Sequence, residues 1–228
     1  MQIKKYKSTI QHIDNPIQGV YTLTLKSATG KFKYEPGHFL HLAIDDYDPS
    51  MAWPESRCFS IQTSPAEELL KITYTANGQF TSRMAAQLAV GHEVWLKMPY
   101  GELFEQEHAR HNTVFISGGT GITPYLSLFT DARFADYTQP VLYAGFRSRS
   151  LNVYEAELQR AQSINPSITI HPVYQDEQGI LNINTICRNS SADSTFFISG
   201  PPVMIKNFRA SLIASGIPAD RVKTDEWE

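Results

Sequence analysis

Cysteine is scarce in this chain, with Cys58 and Cys187 as the two thiols in 228 residues. Two widely spaced cysteines do not supply the roughly four thiolates of an iron–sulfur cluster, and they do not form the Cys-x-x-Cys pair of a zinc site. Histidine offers no substitute, because His38 and His41 are expected on opposite faces of a strand. The sequence therefore predicts no metal site.

Long apolar runs and an excess of positive charge are also missing. The apolar runs are strand-sized, which predicts no membrane-spanning helix. The net charge is −3, and the chain has no basic run, which excludes a nucleic acid as a bulk partner. Residues 1–7 lack the apolar core of a signal peptide, so we expect a cytoplasmic protein. A hydrophobic fraction of 42% and a charged fraction of 19% are typical of a globular protein.

The most informative segment is glycine-rich and spans residues 117–124, Ser-Gly-Gly-Thr-Gly-Ile-Thr-Pro. An apolar run precedes it and an amphipathic run follows it, which predicts a strand, a tight turn and a helix that starts at Pro124. Glycines let backbone N–H groups approach a phosphate, and the helix N-terminus adds partial positive charge. No Gly-Lys-Ser/Thr follows, and Pro124 replaces the third glycine of the usual dinucleotide fingerprint. The segment predicts a phosphate-containing cofactor, with a purely structural turn as the alternative.

The character of the chain changes near residue 110. Before it, short alternating segments separated by turn residues predict an antiparallel barrel with one helix around residues 81–88. After it, strands alternate with helices, which predicts a parallel sheet covered on both faces. We expect strands at 114–117, 141–146, 168–174, 195–199 and 222–224, and helices at 124–132, 154–162, 183–187 and 203–214. The predicted domains are residues 1–106 and 107–228, joined by a polar stretch in which His108 and His111 are solvated.

A second motif lies in the barrel half, at residues 57–61, Arg-Cys-Phe-Ser-Ile. On a strand, Arg57 can bind a pyrophosphate with its planar fork, and Phe59 can stack on a flat ring. Ser60 can donate a hydrogen bond to a ring nitrogen. The alternatives are a surface ion pair between Arg57 and Glu55 and a plain strand hydroxyl at Ser60.

Two more turns precede predicted helices. In residues 78–82, Gly-Gln-Phe-Thr-Ser, a glycine turn leads into a helix capped by Thr81 or Ser82, which is a further candidate anion site. In residues 200–204, Gly-Pro-Pro-Val-Met, a turn joins the fourth parallel strand to a helix. A cap and a turn without any ligand are the alternatives.

Together these motifs resemble those of the ferredoxin–NADP reductase superfamily of two-domain flavin reductases. In that family a barrel binds FAD through Arg-x-Tyr-Ser and Gly-x-x-Ser/Thr, and an α/β domain binds NADPH or NADH through Gly-Gly-x-Gly-x-x-Pro and Cys-Gly-Pro-Pro. This chain has counterparts of all four in the same order, and residues 34–39 and 99–104 resemble two further barrel segments. The resemblance implies a β + α/β fold: an N-terminal antiparallel Greek-key β-barrel followed by a doubly wound parallel-sheet nucleotide-binding domain.

The resemblance also implies roles for single residues. Ser60, Ser199 and Glu226 are implied as the catalytic set, with Ser60 at flavin N5. The implied cofactor-binding residues are Arg57, Phe59, Ser60, Ile61, Tyr74, Gly78, Thr81, Ser82, Gly119, Thr120, Gly121, Pro124, Arg147, Arg149, Gly200, Pro201, Pro202, Met204 and Trp227. Two departures matter, because Phe59 replaces the family's tyrosine and Ser199 its cysteine. They predict a weaker hold on FAD and an altered rate of hydride transfer, without loss of the chemistry.

Two further segments concern the nicotinamide coenzyme: the last residues of the chain and the residues that follow the second parallel strand. In the family the final strand brings a carboxylate and an aromatic residue to the flavin, and Glu226 and Trp227 match them. The alternative is that Trp227 only packs the strand against a helix. After the second parallel strand, residues 147–150 read Arg-Ser-Arg-Ser without an acid, which predicts a mild preference for NADPH. Asp176, after the third strand, opposes it by repelling a 2′-phosphate.

The predicted protein is a flavin-dependent NAD(P)H reductase. It would oxidise NADPH or NADH with FAD and pass the electrons to an acceptor such as a ferredoxin, a flavodoxin, a haem protein or an oxygenase component. We expect a redox-protein partner, a monomer, and neither nucleic-acid binding nor membrane insertion. The alternative is a sensor module that binds nucleotide or flavin and catalyses nothing.

Overall fold

The structure is a computed structural model that describes residues 1–225. The chain divides into two compact units, the first being Met1–Glu102 and the second starting at Leu103. Leu103 and Phe104 pack into the core of the second unit. The Phe104 ring, for example, lies 5.1 Å from that of Phe197. The polar stretch expected between the domains therefore belongs, with these two residues, to the second unit. In the described part of the chain, no helix is both long and apolar enough to span a membrane.

The first unit is an antiparallel sheet whose strand order is β4-β3-β6-β1-β2-β5. Its strands are β1 (Lys4–Ile17), β2 (Val20–Ser27), β3 (Phe39–Ala43), β4 (Ser56–Ser60), β5 (Leu70–Thr75) and β6 (Glu93–Tyr100), with helix α1 (Gln79–Gln87) between the last two. The last strand, β6, lies between β3 and β1, as in a Greek key. Gln62 N–H donates to the Lys71 carbonyl at 2.9 Å, which links the chain after β4 to β5 and curls the two edges of the sheet together. This agrees with the predicted barrel.

Strand β1 is the long element that the sequence did not reveal. Its inward side chains are Tyr6, Ser8 and Ile10, all buried, and they alternate with exposed or partly exposed residues. A serine in the middle of the apolar face and lysines on the other face hide the strand pattern, since period-2 alternation is recognised by its hydrophobic members. Ser8 Oγ is buried without a hydrogen-bond partner in the described structure.

The second unit is a parallel sheet with the strand order β11-β10-β7-β8-β9. Its strands are β7 (Thr113–Gly118), β8 (Val141–Phe146), β9 (Thr169–Tyr174), β10 (Thr195–Ser199) and β11 (Val222–Thr224). Its helices are α2 (Thr123–Phe129), α3 (Glu155–Ile164), α4 (Gln175–Gln178), α5 (Ile183–Arg188) and α6 (Pro202–Ala214). One core packs against α2 and α3 and another against α5 and α6. The doubly wound sheet expected from the sequence is thus confirmed, and the central strand β7 is apolar because both of its faces are covered.

Helix ends are where the expected elements differ from the structure. Helix α1 begins at Gln79 rather than near Thr81, and α2 ends at Phe129 rather than at Ala132. The carboxylate of Asp131 accepts a hydrogen bond from Arg133 N–H at 3.1 Å and starts a separate 3₁₀ turn. A side chain that caps the next turn ends the helix earlier than the apolar pattern suggests.

The expected solvation of His108 is wrong. Its imidazole is partly buried, with Nε2 2.7 Å from the Tyr137 hydroxyl and Nδ1 2.7 Å from the Gln106 carbonyl oxygen. The ring meets Phe197 edge to face at 4.9 Å. Burial lowers the pKa of His108, so the neutral ring is favoured and anchors the start of the second unit.

Asn165 provides a test of the second unit's interior. Its amide donates 2.8 Å hydrogen bonds to the carbonyls of Phe134 and Tyr137, and Asn165 is 4% exposed. Asn165→Ala removes a donor from two buried carbonyls and the acceptor of Ser167 N–H, and we expect a loss of about 2–4 kcal/mol in the free energy of unfolding by urea. Asn182→Ala is the control, because Asn182 only caps α5 and its loss should cost about 1 kcal/mol. Equal losses would contradict this account of Asn165.

Candidate functional site

The glycine-rich segment forms the predicted strand, turn and helix. Strand β7 ends at Gly118, a 3₁₀ turn covers Gly119–Ile122, and α2 follows at once. Pro124 is the second residue of α2 rather than the first, because Thr123 is already helical. Gly119 has φ +57°, a conformation that suits glycine. Gly119 and Thr120 are exposed, so their backbone N–H groups are available to a ligand.

This turn touches the second predicted turn of the same unit, backbone against backbone. A Cβ atom on Gly121 would lie 2.6 Å from both the N and the Cα atoms of Gly200. A Cβ on Gly118 would lie 2.9 Å from the Met204 sulfur and 3.0 Å from Pro201. The candidate residues Gly119–Gly121 and Gly200–Met204 are therefore brought together, while the side chains of Pro201 and Pro202 remain exposed.

The position of these turns in the sheet is the one where open α/β sheets bind ligands. Strands β8 and β9 lie on one side of β7, and strands β10 and β11 lie on its other side. The strand order therefore reverses between β7 and β10, and a crevice forms there at the carboxyl ends of the strands. Ser117 Oγ is fully buried at this edge without a hydrogen-bond partner in the part of the chain described.

Ser199, expected to stand in for a cysteine, forms a buried pair with Asp225. Its hydroxyl donates to Asp225 Oδ2 at 3.0 Å, and the two residues are 1% and 6% exposed. Burial raises the pKa of Asp225 to about 7, and the hydrogen bond from Ser199 opposes the rise. Sequence reasoning missed Asp225, although it follows the last predicted strand directly at the carboxyl edge of the sheet.

The two arginines after β8 are exposed. Arg149 makes a two-pronged ion pair with Glu177, with Nη2 to Oε2 at 3.0 Å and Nε to Oε1 at 3.3 Å. The carbonyl of Arg147 accepts a hydrogen bond from Asp176 N–H at 3.2 Å. The sequence predicted the acid at Asp176 but not the pairing of Arg149 with Glu177.

In the first unit, the strand motif lies on β4. Phe59 and Ile61 are buried in the barrel core, and the Phe59 ring meets Tyr74 edge to face at 6.0 Å. Ser60 is 8% exposed at the end of β4. Phe59 and Tyr74 are thus adjacent, as two members of one site require, and Phe59 also has a structural role in the core.

Arg57 is exposed and lies beside the glycine turn at residues 78–82. Its guanidinium carbon lies 5.2 Å from the centre of the Phe80 ring, on α1. It also pairs with Glu55, with Nη2 to Oε1 at 3.0 Å. The ion pair considered as an alternative is therefore present, and it coexists with a position beside the start of α1.

The expected cap of α1 by Thr81 or Ser82 is wrong, since Gly78 is the N-cap. Thr81 lies three residues into the helix, and its Oγ1 accepts a hydrogen bond from Gly78 N–H at 3.1 Å. Thr81 therefore reaches back to the turn instead of starting the helix. The first turn of α1 carries no acidic residue, which leaves the positive end of the helix open to an anion. Glu226 and Trp227 lie outside the described residues.

Comparison with known proteins agrees with this architecture. Residues 115–210 match the family described as oxidoreductase NAD-binding domain. The reductase component of propane 2-monooxygenase from Mycolicibacterium smegmatis is 25% identical over 99% of this chain and 68% of its own length. The Amycolatopsis cytochrome P450 reductase GcoB superposes with a TM-score of 0.83 at 17% identity, over 98% of this chain and 70% of the other. A Neisseria gonorrhoeae ferredoxin NADP+ reductase with bound FAD and NADP gives 0.80 at 16%, over 97% and 98%.

The fold and these matches define a two-domain oxidoreductase built from an antiparallel barrel and a parallel nucleotide-binding sheet. Residues 115–210 match the oxidoreductase NAD-binding family, and the chain shares the fold of these solved reductases, in agreement with the resemblance that the sequence motifs carry. The hydrogen-bond donors of this chain fit the two cofactors that the resemblance implies, FAD and a nicotinamide nucleotide. The bare glycine turns leave room for a dinucleotide, and Arg57 beside the open start of α1 suits a pyrophosphate.

The contact between the two turns can be tested with a pair of glycine variants. Gly121→Ala places a Cβ 2.6 Å from the Gly200 backbone, so the turns must separate, and we expect a loss of about 2–3 kcal/mol in the free energy of unfolding. Gly119→Ala is the control, because nothing lies within 4 Å of its Cβ position and the left-handed φ alone costs about 1 kcal/mol. A greater loss for Gly119→Ala would show that the contact does not constrain the fold.

The raised pKa of Asp225 predicts a pH dependence of stability. Between pH 3.8, the ordinary pKa, and about 7, the native carboxyl binds a proton that the unfolded one has released. The contribution of Asp225 to stability therefore falls as pH rises through this window. Relative to wild type, Asp225→Asn should gain about 2 kcal/mol in free energy of unfolding between pH 5 and pH 8. Asp220→Asn, at an exposed site, should show no such change, and a pH-independent difference for Asp225→Asn would refute the assignment.

Proposed function

We propose that this chain is a flavin-dependent NAD(P)H oxidoreductase that passes electrons from NADPH or NADH through FAD to an acceptor. The observation that carries the proposal is the backbone contact of Gly121 and Gly200. It places two cofactor-type turns at the switch point of the parallel sheet, within the residues that match the NAD-binding family.

In the first unit, Arg57 and the N–H groups at the start of α1 would hold the FAD pyrophosphate. Gly78, Thr81 and Ser82 shape that helix start. Ser60 would meet the flavin at the end of β4, and Phe59, Ile61 and Tyr74 would support that site from the barrel core. The Glu55 carboxylate must release Arg57, and a phosphate that also accepts from the helix N-terminus offers more hydrogen bonds than Glu55 does. FAD supplies the hydride and single-electron chemistry that side chains lack.

In the second unit, the nicotinamide nucleotide would lie along the two turns. The N–H groups of Gly119, Thr120 and Gly121 would bind phosphate at the start of the helix that contains Pro124, and Gly200, Pro201, Pro202 and Met204 would form the opposite wall. Arg147 and Arg149 would lie beside the adenosine ribose.

The carboxyl edge of the parallel sheet holds a group that would exchange a proton during the reaction. Ser199 orients the Asp225 carboxyl through a 3.0 Å hydrogen bond. A pKa of about 7 lets that carboxyl both hold and release a proton at neutral pH. Glu226 and Trp227 follow directly, and we propose them as a second carboxylate and as a ring that covers the flavin.

The acceptor is proposed from the relatives. They include reductase components of propane 2-monooxygenase and phenol 2-monooxygenase, which favours an oxygenase component. We also propose a monomer and a cytoplasmic location, since the free thiols of Cys58 and Cys187 suit a reducing compartment.

The proposal predicts a yellow protein whose colour bleaches when NADH or NADPH is added without oxygen, and which turns over with ferricyanide. Arg57→Ala should weaken FAD binding about tenfold or more, measured by flavin fluorescence during titration, because it removes the fork at the pyrophosphate. Arg188→Ala, on α5 of the other unit, is the matched control and should bind FAD normally. A protein that binds FAD and nucleotide but never reduces ferricyanide would be the sensor considered above. A protein that binds neither would refute the proposal.

A further inference from the structure

An ion pair links the loops after the second and third parallel strands. Arg149 meets Glu177 through two parallel N–H···O contacts of 3.0 and 3.3 Å. This fork-to-carboxylate geometry uses both donors on one edge of the guanidinium. The hydrogen bond that Arg149 donates to Glu177 is the main cause of a raised pKa of Arg149, and the nearby charge of Glu155 adds to it.

The guanidinium of Arg149 also stacks on an aromatic ring, that of Tyr174. The guanidinium carbon lies 4.4 Å from the centre of the Tyr174 ring, and Tyr174 is 4% exposed. The Tyr174 hydroxyl accepts a hydrogen bond from Asn152 Nδ2 at 3.3 Å, which holds the ring in place. The stacking and the two hydrogen bonds orient Arg149 towards Glu177.

The local charges do not suit a phosphate. Arg147 and Arg149 are accompanied by three acids: Glu155 in the first turn of α3, and Asp176 with Glu177 in α4. A 2′-phosphate would have to displace Glu177 and then lie beside the displaced carboxylate, which is a contact between like charges. The ribose of NADH carries a 2′-hydroxyl instead, which can donate to a carboxylate.

We infer that Glu177 determines coenzyme choice, by occupying Arg149 and thereby favouring NADH over NADPH at the nicotinamide site. The inference rests on the proposed function. It reverses the mild NADPH preference expected from residues 147–150, which took Arg149 as available. Glu177 acts in this way as a positioning residue, through the orientation of Arg149.

The test measures binding of two probes that carry no hydride, ADP-ribose and 2′-phospho-ADP-ribose, to the FAD-loaded full chain by calorimetry at low salt. Wild type should bind ADP-ribose about tenfold tighter. Glu177→Gln should shift the ratio of the two dissociation constants about tenfold towards the 2′-phosphate, because Arg149 becomes available. The double variant Arg149→Ala/Glu177→Gln should lose that gain. Asp220→Asn removes a negative charge beside the amino end of β11, the opposite edge of the sheet, and should leave the ratio unchanged.

Steady-state rates with ferricyanide give an independent readout. Glu177→Gln should raise kcat/KM for NADPH, mainly through a lower KM for that coenzyme. Equal loss of both probes in Glu177→Gln would indicate a structural role and overturn the inference, as would a wild type that prefers the 2′-phosphate. In those cases NADH oxidation persists and the proposed function stands. A protein that binds neither probe and oxidises neither coenzyme would overturn both.

Discussion

The second unit depends on one close approach, in which the peptide backbone at Gly121 lies against that at Gly200. An added Cβ at Gly121 would lie 2.6 Å from backbone atoms. Gly200 has φ +147°, which favours glycine, and a Cβ there would lie 3.0 Å from the backbone N of Gly118. The approach follows from the sheet, since β7 and β10 are neighbours with Ser117 opposite Ser199. The turns at residues 118–121 and 200–204 therefore form one continuous backbone surface at the carboxyl ends of β7 and β10. Asp225 reaches the same surface because β11 pairs with β10.

Acidic residues distinguish the helix starts that can meet an anion from those that cannot. Within residues 1–225, the first turns of α1, α2, α5 and α6 contain no acid. Helices α1, α2 and α6 each follow a turn proposed to hold a cofactor, whereas the side chain of Asn182 caps α5. The first turns of α3 and α4 contain two acids each. Acids there neutralise the positive helix end internally. In the described residues, the helix start is therefore left open in α1, α2 and α6, neutralised by acids in α3 and α4, and capped by Asn182 in α5.

The fold was largely readable from the sequence, because glycine turns and apolar alternation carry most of the topology. β8, β10 and β11 have the predicted bounds. β8 and β10 are short and apolar, with Pro140 before β8 and Gly200 after β10. β1 was missed because Ser8 interrupts its apolar face, and α1 was started too late because Gly78, rather than Thr81, caps it. In the candidate site, residues on turns were found by their glycines. The Arg149–Glu177 and Ser199–Asp225 pairs join segments 28 and 26 residues apart, and no local pattern reports such partners.

The site's charged groups fall into two kinds that respond differently to a ligand. Arg57 and Arg149 are exposed and paired with acids, so water can replace either partner and a ligand can exchange into the pair at little cost. The outcome then depends on what else surrounds the arginine. Arg57 stands beside an open helix start, which adds donors for a phosphate, whereas Arg149 stands among Asp176, Glu177 and Glu155, which add repulsion. Asp225 is of the other kind. It is buried with Ser199 as its partner, so its charge cannot be exchanged for that of a ligand, and a change in its surroundings must appear as gain or loss of a proton. Of the two exposed pairs, only the one at Arg57 is therefore proposed for phosphate recognition, and the buried pair is proposed for proton exchange.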